Sequence, residues 1–357
     1  MKLLKLGIIF SIFISVNTQA SSYWSDAYSN TGNHFYDNYH TSPIMRDWRI
    51  YDTDQYISGR FVNYSKDFVL AIKPGNSYIL MHHLTPDNNW WNLMSGGNSL
   101  DNLWTTRTDD MHIVGDFDGD NIQEILFANP DGKYRTLKLS GSPSLYSWTS
   151  MQYATNGNID LGDKLLSGDF NGDGIDEVML IKANGSHYTM KLNTTTQSWD
   201  ILSSANNGKI YWWNISSSNK FVTGDFDNDG KDELLAISIG GWHHTMHYDN
   251  NQWVYLEGDG SGQIGWWNIA AVDRYITGDF NNDGSDELLT INSTGGWSHT
   301  MSFNNNQWQW IKGNGGSGTL GNWAVSSNDF YIVQKRSYSA DYFITLNSNG
   351  WWKILQY

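Results

Sequence analysis

There is no cysteine among the 357 residues, so no disulfide restrains the loops of this chain. Proline is scarce, with five in all. Lys and Arg number 22 against 37 Asp and Glu. No basic stripe exists that could release counterions from phosphates, which excludes nucleic acid as a partner. Past residue 16 no apolar run approaches the length that spans a bilayer. Few windows carry a helical apolar period. The G-x-S-x-G, H-E-x-x-H and phosphate-loop patterns are all missing, so the reading is of a protein that is not an enzyme.

What the chain has in plenty is glycine (35), tyrosine (20) and tryptophan (19), set in short alternating runs broken by Asn, Gly, Ser and Asp. That pattern predicts an all-β fold. The first 20 residues read as a signal peptide: Lys2 and Lys5, an apolar run from Leu6 to Val16, and Thr18-Gln19-Ala20 as a small-residue cleavage site. An uncleaved anchor fits less well, because the run is short. The mature protein, residues 21–357, is expected to be one secreted or periplasmic domain.

The acidity is concentrated. Four near-copies of one loop begin at Gly115 (GDFDGDNIQEIL), Gly168 (GDFNGDGIDEVM), Gly224 (GDFDNDGKDELL) and Gly278 (GDFNNDGSDELL), and they hold 17 of the 37 acidic residues. Oxygen side chains fall at loop positions 1, 3, 5 and 9: Asp116, Asp118, Asp120 and Glu124; Asp169, Asn171, Asp173 and Glu177; Asp225, Asp227, Asp229 and Glu233; Asp279, Asn281, Asp283 and Glu287. Alternate side chains of a tight loop converge, and an oxygen-only set favours Ca²⁺ over zinc or copper. Four bound ions would bring the formal charge from −15 to −7. Bound calcium would also supply the restraint that disulfides do not.

Two degenerate copies, from Gly59 (GRFVNYSKDFVLAI) and Val333 (VQKRSYSADYFITL), complete a series spaced by 56, 53, 56, 54 and 55 residues. Each unit carries four strand-like runs. Six four-stranded units predict a β-propeller of six blades, and a seventh has little room. The last unit ends after its third strand, so a segment at about 33–50 is expected to supply the fourth and close the ring, removing an exposed edge. In the third strands Thr136-Leu137, Thr189-Met190, Thr245-Met246 and Thr300-Met301 share one column; alternation predicts Met or Leu against a neighbouring blade and Thr facing away. In the degenerate loops Arg60, Val62, Tyr64, Phe68 and Gln334, Arg336, Tyr338, Tyr342 take the ligand positions, which excludes calcium there. Arg60, Lys66, Lys335 and Arg336 are expected to make a basic sector at the seam, either a partner site or merely solvated charge.

The loop, repeated between strands, resembles the FG-GAP/VCBS repeat of integrin α-subunit propellers and of secreted microbial propellers, among them fungal and bacterial lectins. The resemblance spans about residues 33–357. It implies a propeller fold and a fifth calcium ligand, the position-7 carbonyl, here that of Ile122, Ile175, Lys231 and Ser285. Asn121 departs from the usual glycine, but Asn tolerates a left-handed backbone.

Aromatics beside turns supply a second theme. Trp212, Trp242, His243, Trp266, Trp297 and His299 are candidate ligand contacts, since flat aromatic faces stack on sugar rings while polar neighbours satisfy hydroxyls. Packing between blades is the competing role for each Trp. His243, His244 and His247 could suggest zinc, but only His243 and His247 share a strand face. The leading expectation is a calcium-stabilised glycan-binding lectin or adhesin. A protein-binding or toxin-accessory module comes second, and a polysaccharide lyase or hydrolase third.

Overall fold

The computed structural model describes residues 25–29, 44–45, 48–49 and, with short gaps, 53–356. Every regular element in it is a β-strand. Six antiparallel four-stranded sheets stand in a ring, giving a six-blade β-propeller. The first strands of the blades are Gln55–Gly59, Met111–Gly115, Lys164–Gly168, Lys220–Gly224, Arg274–Gly278 and Phe330–Gln334. Each touches the next, and the last touches the first, so these strands line the axis. The second strands, such as Glu233–Ile237 and Glu287–Ile291, are buried along their whole length, which is why they read as continuous apolar runs.

The ring closes through the N-terminus, but not where the sequence placed the strand. Ser25–Ser29 pairs antiparallel with Trp352–Gln356, with Ser25 opposite Gln356. Of the segment 33–50, the described part is a two-stranded ribbon, Ile44–Met45 with Trp48–Arg49. It matches the ribbons that precede blades 4, 5 and 6. An outer strand always lies upstream of such a ribbon, so the closing strand lies upstream of residue 44.

Packing between blades follows one recipe. The Phe after each loop-opening Gly-Asp lies fully buried against a Trp of the next blade's outer strand. The pairs are Phe61–Trp148, Phe117–Trp199, Phe170–Trp253 and Phe226–Trp308, edge to face with centroids 4.9–5.3 Å apart. Met246 and Met301 face the preceding blade, as expected. The Thr column does not face away. Thr189 and Thr245 are fully buried and accept hydrogen bonds from Trp253 Nε1 (3.1 Å) and Trp308 Nε1 (2.8 Å) of the following blade. A β-bulge between Thr and Met recurs in blades 2 to 5, so the two residues serve opposite neighbours.

A second set of bonds circles the axis. The residue before each position-9 residue donates its N–H to the position-1 carbonyl of the preceding blade, as Asp232 does to Asp169 (2.9 Å) and Asp341 to Asp279 (2.9 Å). Its side chain accepts the N–H of that same residue: Asp116 N to Asp176 Oδ2 is 2.7 Å, Asp169 N to Asp232 Oδ2 is 2.9 Å, and Arg60 N to Gln123 Oε1 is 2.8 Å. At the seam Lys335 N donates to Asp67 Oδ2 (2.9 Å), and Lys335 O accepts from Asp67 N (3.2 Å). This corrects the alignment of the sixth repeat by one residue: Lys335, not Gln334, takes the place of the first loop aspartate. Its ammonium lies 3.2 Å from Asp286 Oδ2. Asp286 holds it well above the ordinary ammonium range against its own desolvation, with Asp232 and Asp341 adding to the effect. Lys335 is therefore paired with the axial carboxylates instead of joining a basic patch. Lys66 and Arg336 lie outside the described residues.

Candidate functional site

The four acidic loops share one internal architecture. The position-1 aspartate is committed to the loop backbone: Asp116 accepts from the N–H groups of Gly119 (2.8 Å), Asp120 (3.1 Å) and Asn121 (2.7 Å), and Asp225 from Asp229 and Gly230 (both 3.1 Å). Asn121 stands at φ 65°, the left-handed turn that Gly174, Gly230 and Gly284 take elsewhere. The position-5 carboxylate accepts the N–H of the position-7 residue in every loop, from Ile122, Ile175, Lys231 and Ser285 at 2.9–3.1 Å. The position-9 glutamates are buried and accept the N–H of the loop Phe. Burial, with the neighbouring acids adding to it, pushes Glu124, Glu177 and Glu287 up to about 8 and Glu233 to about 9.

The loops are not equivalent, and sequence reasoning missed why. The third-strand residue after the Thr-Met column is Lys138, Lys191, His247 and Ser302 in blades 2 to 5. Lys138 Nζ lies 2.6 Å from both Asp118 and Asp120 and 3.2 Å from Glu124. Lys191 pairs with Asp173 in the same way and lies 3.8 Å from Glu177. In blades 3 and 5 the amides of Asn171 and Asn281 bond the glutamate at 2.6 Å. In blade 4 the oxygens of Asp225, Asp227 and Asp229 lie within 4.8 Å of one another. Glu233 Oε1, buried behind them, has no hydrogen-bond partner. A hard cation fits that donor set. The trio Asp116, Asp118 and Glu124 is as tightly gathered, but around the Lys138 ammonium.

Aromatic clusters stand at the other end of the blades. Turns joining strands 1 to 2 and 3 to 4 of a meander lie at one end, and those joining 2 to 3 and blade to blade lie at the opposite end. In blade 4, His244 is held between Trp212 (4.2 Å) and Trp213 (4.3 Å), with Tyr255 at 5.3 Å. Trp213 is buried and Trp212 is 51% exposed, the division that alternation predicts for a paired Trp. In blade 5, Trp267 lies 3.7 Å from His299 and stacks with Trp297 at 6.1 Å. Trp310 Nε1 donates to His299 Nδ1 at 2.9 Å. Burial lowers His299 to about 4, so it is neutral, with its proton on Nε2. Each cluster needs a glycine: a Cβ at Gly258 would lie 2.8 Å from His244 Nδ1, and one at Gly313 2.7 Å from His299 Nδ1.

Of the aromatic candidates, Trp212, Trp242, Trp297 and His299 fall at these two clusters; Trp242 is 56% exposed and Trp297 44%. His243 does not. It is buried with Nε2 3.4 Å from Glu257, and its neighbour His244 is the counterpart of His299. Both oppose the third residue of the adjacent second strand, a register that only the aligned pairs Ala236–His244 and Thr290–His299 reveal. Trp266 lies outside the described residues.

No protein-family model matches the chain, and no curated protein matches it in sequence. Solved structures do match it in fold. A lectin of Agrocybe aegerita, whose structure concerns recognition of non-reducing terminal N-acetylglucosamine, superposes with a TM-score of 0.53 at 13% identity, over 82% of this chain and 74% of that one. The N-terminal portion of BBS1 in a complex with ARL6 gives 0.46 at 7% identity over 93% and 96% of the chains. A Lactobacillus plantarum protein gives 0.42 at 10% over 69% and 67%. At these identities the likeness is one of fold: the chain is a six-blade β-propeller, with a lectin among the propellers similar to it.

Proposed function

We propose that this protein is an exported, non-enzymatic, calcium-stabilised lectin of the FG-GAP/VCBS type, binding glycans at the aromatic-histidine clusters of blades 4 and 5. The observation that carries the reading is the exposed indole set beside a buried imidazole, repeated in register: Trp212 with His244 and Trp297 with His299. An indole face takes the apolar face of a sugar ring, and a fixed neutral imidazole offers one donor to a hydroxyl. Two such sites on one rigid ring gain avidity without new contacts. The fold it shares with a lectin supports the same class of ligand.

A calcium-replete glycan array tests this. Binding is expected for the native protein, with Trp212→Ala and Trp297→Ala each weakening it about tenfold while the fold is kept. An array blank for the native protein, or recovery of a partner from samples stripped of glycans, would replace this reading with a protein-binding one.

The calcium part is supported by the blade 4 loop, where Asp225, Asp227, Asp229 and Glu233 would hold the ion. A bound divalent cation supplies positive charge that keeps the buried glutamates ionised. Blades 2 and 3 already hold an ammonium, so blades 4 and 5 are expected to fill first. The pH dependence has a definite sign. Folded glutamate values of about 8 to 9 lie above the ordinary 4.5, so the metal-free fold binds protons that the unfolded chain releases. Its stability in chelator is expected to fall as pH rises from about 5 to 9. Added calcium is then expected to raise the melting temperature more at pH 8 than at pH 5. An equal calcium shift at the two pH values, or none at either, counts against cation binding here.

A further inference from the structure

We propose that a cavity between blades 2 and 3 is a binding site for a small planar aromatic molecule of about indole size. Eleven residues before the residue that opens each loop, five blades carry a tryptophan: Trp48, Trp104, Trp213, Trp267 and Trp323. Blade 3 has Gly157 instead. The flanking residues leave no doubt of the alignment, since Gly157-Asn-Ile159 stands where blades 4 and 5 have Trp213-Asn-Ile215 and Trp267-Asn-Ile269. Gly157 itself lies outside the described residues, and the site is built from the residues around it.

In blade 4, Trp213 covers Met246 and His244. Met246 is 1% exposed there. The blade 3 counterparts, Met190 and Tyr188, are only half-buried. Both line a cavity of about 270 Å³, together with Leu126, Tyr134, Trp199 and Ile201. The cavity thus occupies, in blade 3, the place that an indole fills in blade 4. Ile201, at the position of Tyr255, is 59% exposed, an unusual placing for so large an aliphatic side chain.

The lining selects the ligand. Two phenol rings, an indole and a thioether favour a flat aromatic group through edge-to-face and sulfur contacts. A mostly apolar wall offers water few of the two to four partners it needs. The wall also has slack. Trp253 and Trp308 are tied to a Thr of the preceding blade, but Trp199 Nε1 is buried without a hydrogen bond, as is its would-be acceptor Thr136 Oγ1. The Trp199 ring is free to adjust around a guest. This site is independent of the glycan reading, which concerns blades 4 and 5.

Indole titrated into the full chain, followed by calorimetry and melting temperature, tests the proposal. Binding with a dissociation constant on the order of 0.1–1 mM is expected for a ligand of this size, with a rise in melting temperature. Ile201→Trp, which fills the cavity from its mouth, is expected to weaken binding at least tenfold. Val272→Ser, a change at an exposed residue of another blade, should leave it unaltered. Gly157→Trp, which restores the missing ring, is expected to abolish binding and raise the melting temperature by itself; it carries the test if Ile201→Trp fails to fold. No binding by the native chain at about ten times the expected constant, or undiminished binding by Gly157→Trp, overturns the proposal.

Discussion

Trp253→Ala is expected to lower the free energy of unfolding by about 3–5 kcal/mol, whereas Trp242→Ala should change it by less than about 0.5 kcal/mol. The two residues lie eleven positions apart in one blade, and nothing in composition separates them. Trp253 is buried, meets Phe170 edge to face at 4.9 Å and Tyr248 at 5.3 Å, and donates to Thr189 across the blade boundary. Removing it opens a cavity between blades 3 and 4 and leaves the buried Thr189 hydroxyl without its donor. Trp242 stands largely in solvent at the turn between second and third strands. Its loss should register in glycan binding and not in urea unfolding. Equal effects of the two changes on stability would mean that the wedge role has been misassigned.

Gly168→Ala is expected to cost about 2–4 kcal/mol, a combination of overpacking and a strained inter-blade hydrogen bond. The backbone at Gly168 is not left-handed, so conformation does not require glycine there. Space does. A Cβ would meet Asp232 Oδ2 at 2.5 Å, Asp232 Cβ at 2.8 Å and the Phe170 ring at 2.9 Å. That carboxylate is the one that accepts Asp169 N–H from the preceding blade. Gly174→Ala offers the contrast. Nothing lies within 4 Å of its Cβ position, but its φ is +82°, so a left-handed alanine costs about 1–2 kcal/mol there. Urea unfolding midpoints should rank Gly168→Ala below Gly174→Ala; the reverse order would show that the axial clamp yields easily.

The period of about 55 residues, the alternating runs and the missing helical pattern were enough to read six blades from the sequence, because each records a local preference repeated six times. Loop positions 1, 3, 5 and 9 were legible for the same reason. What escaped was non-local. The lysines that enter two acidic loops come from third strands about 18 residues downstream, in a column where the other blades place His247 and Ser302. The His244–His299 equivalence is hidden because His243 is the more obvious partner of Trp242. The closing strand was misplaced because Ser25–Ser29 carries no apolar alternation to mark it. Its pairing is decided by the far end of the chain.

That last pairing has a consequence for the order of events in synthesis. The segment that emerges from the ribosome first is matched to the one that emerges last, so blade 6 stays incomplete until translation ends. Until then the nascent arc presents a raw margin at each extremity, a stage at which a holdase has something to grip. Because both termini finish side by side, the finished ring should tolerate being reopened elsewhere: joining Ser25 to Gln356 through a short linker and cutting at an outer turn, such as Asn305-Asn306, ought to return the same circle with a new starting point.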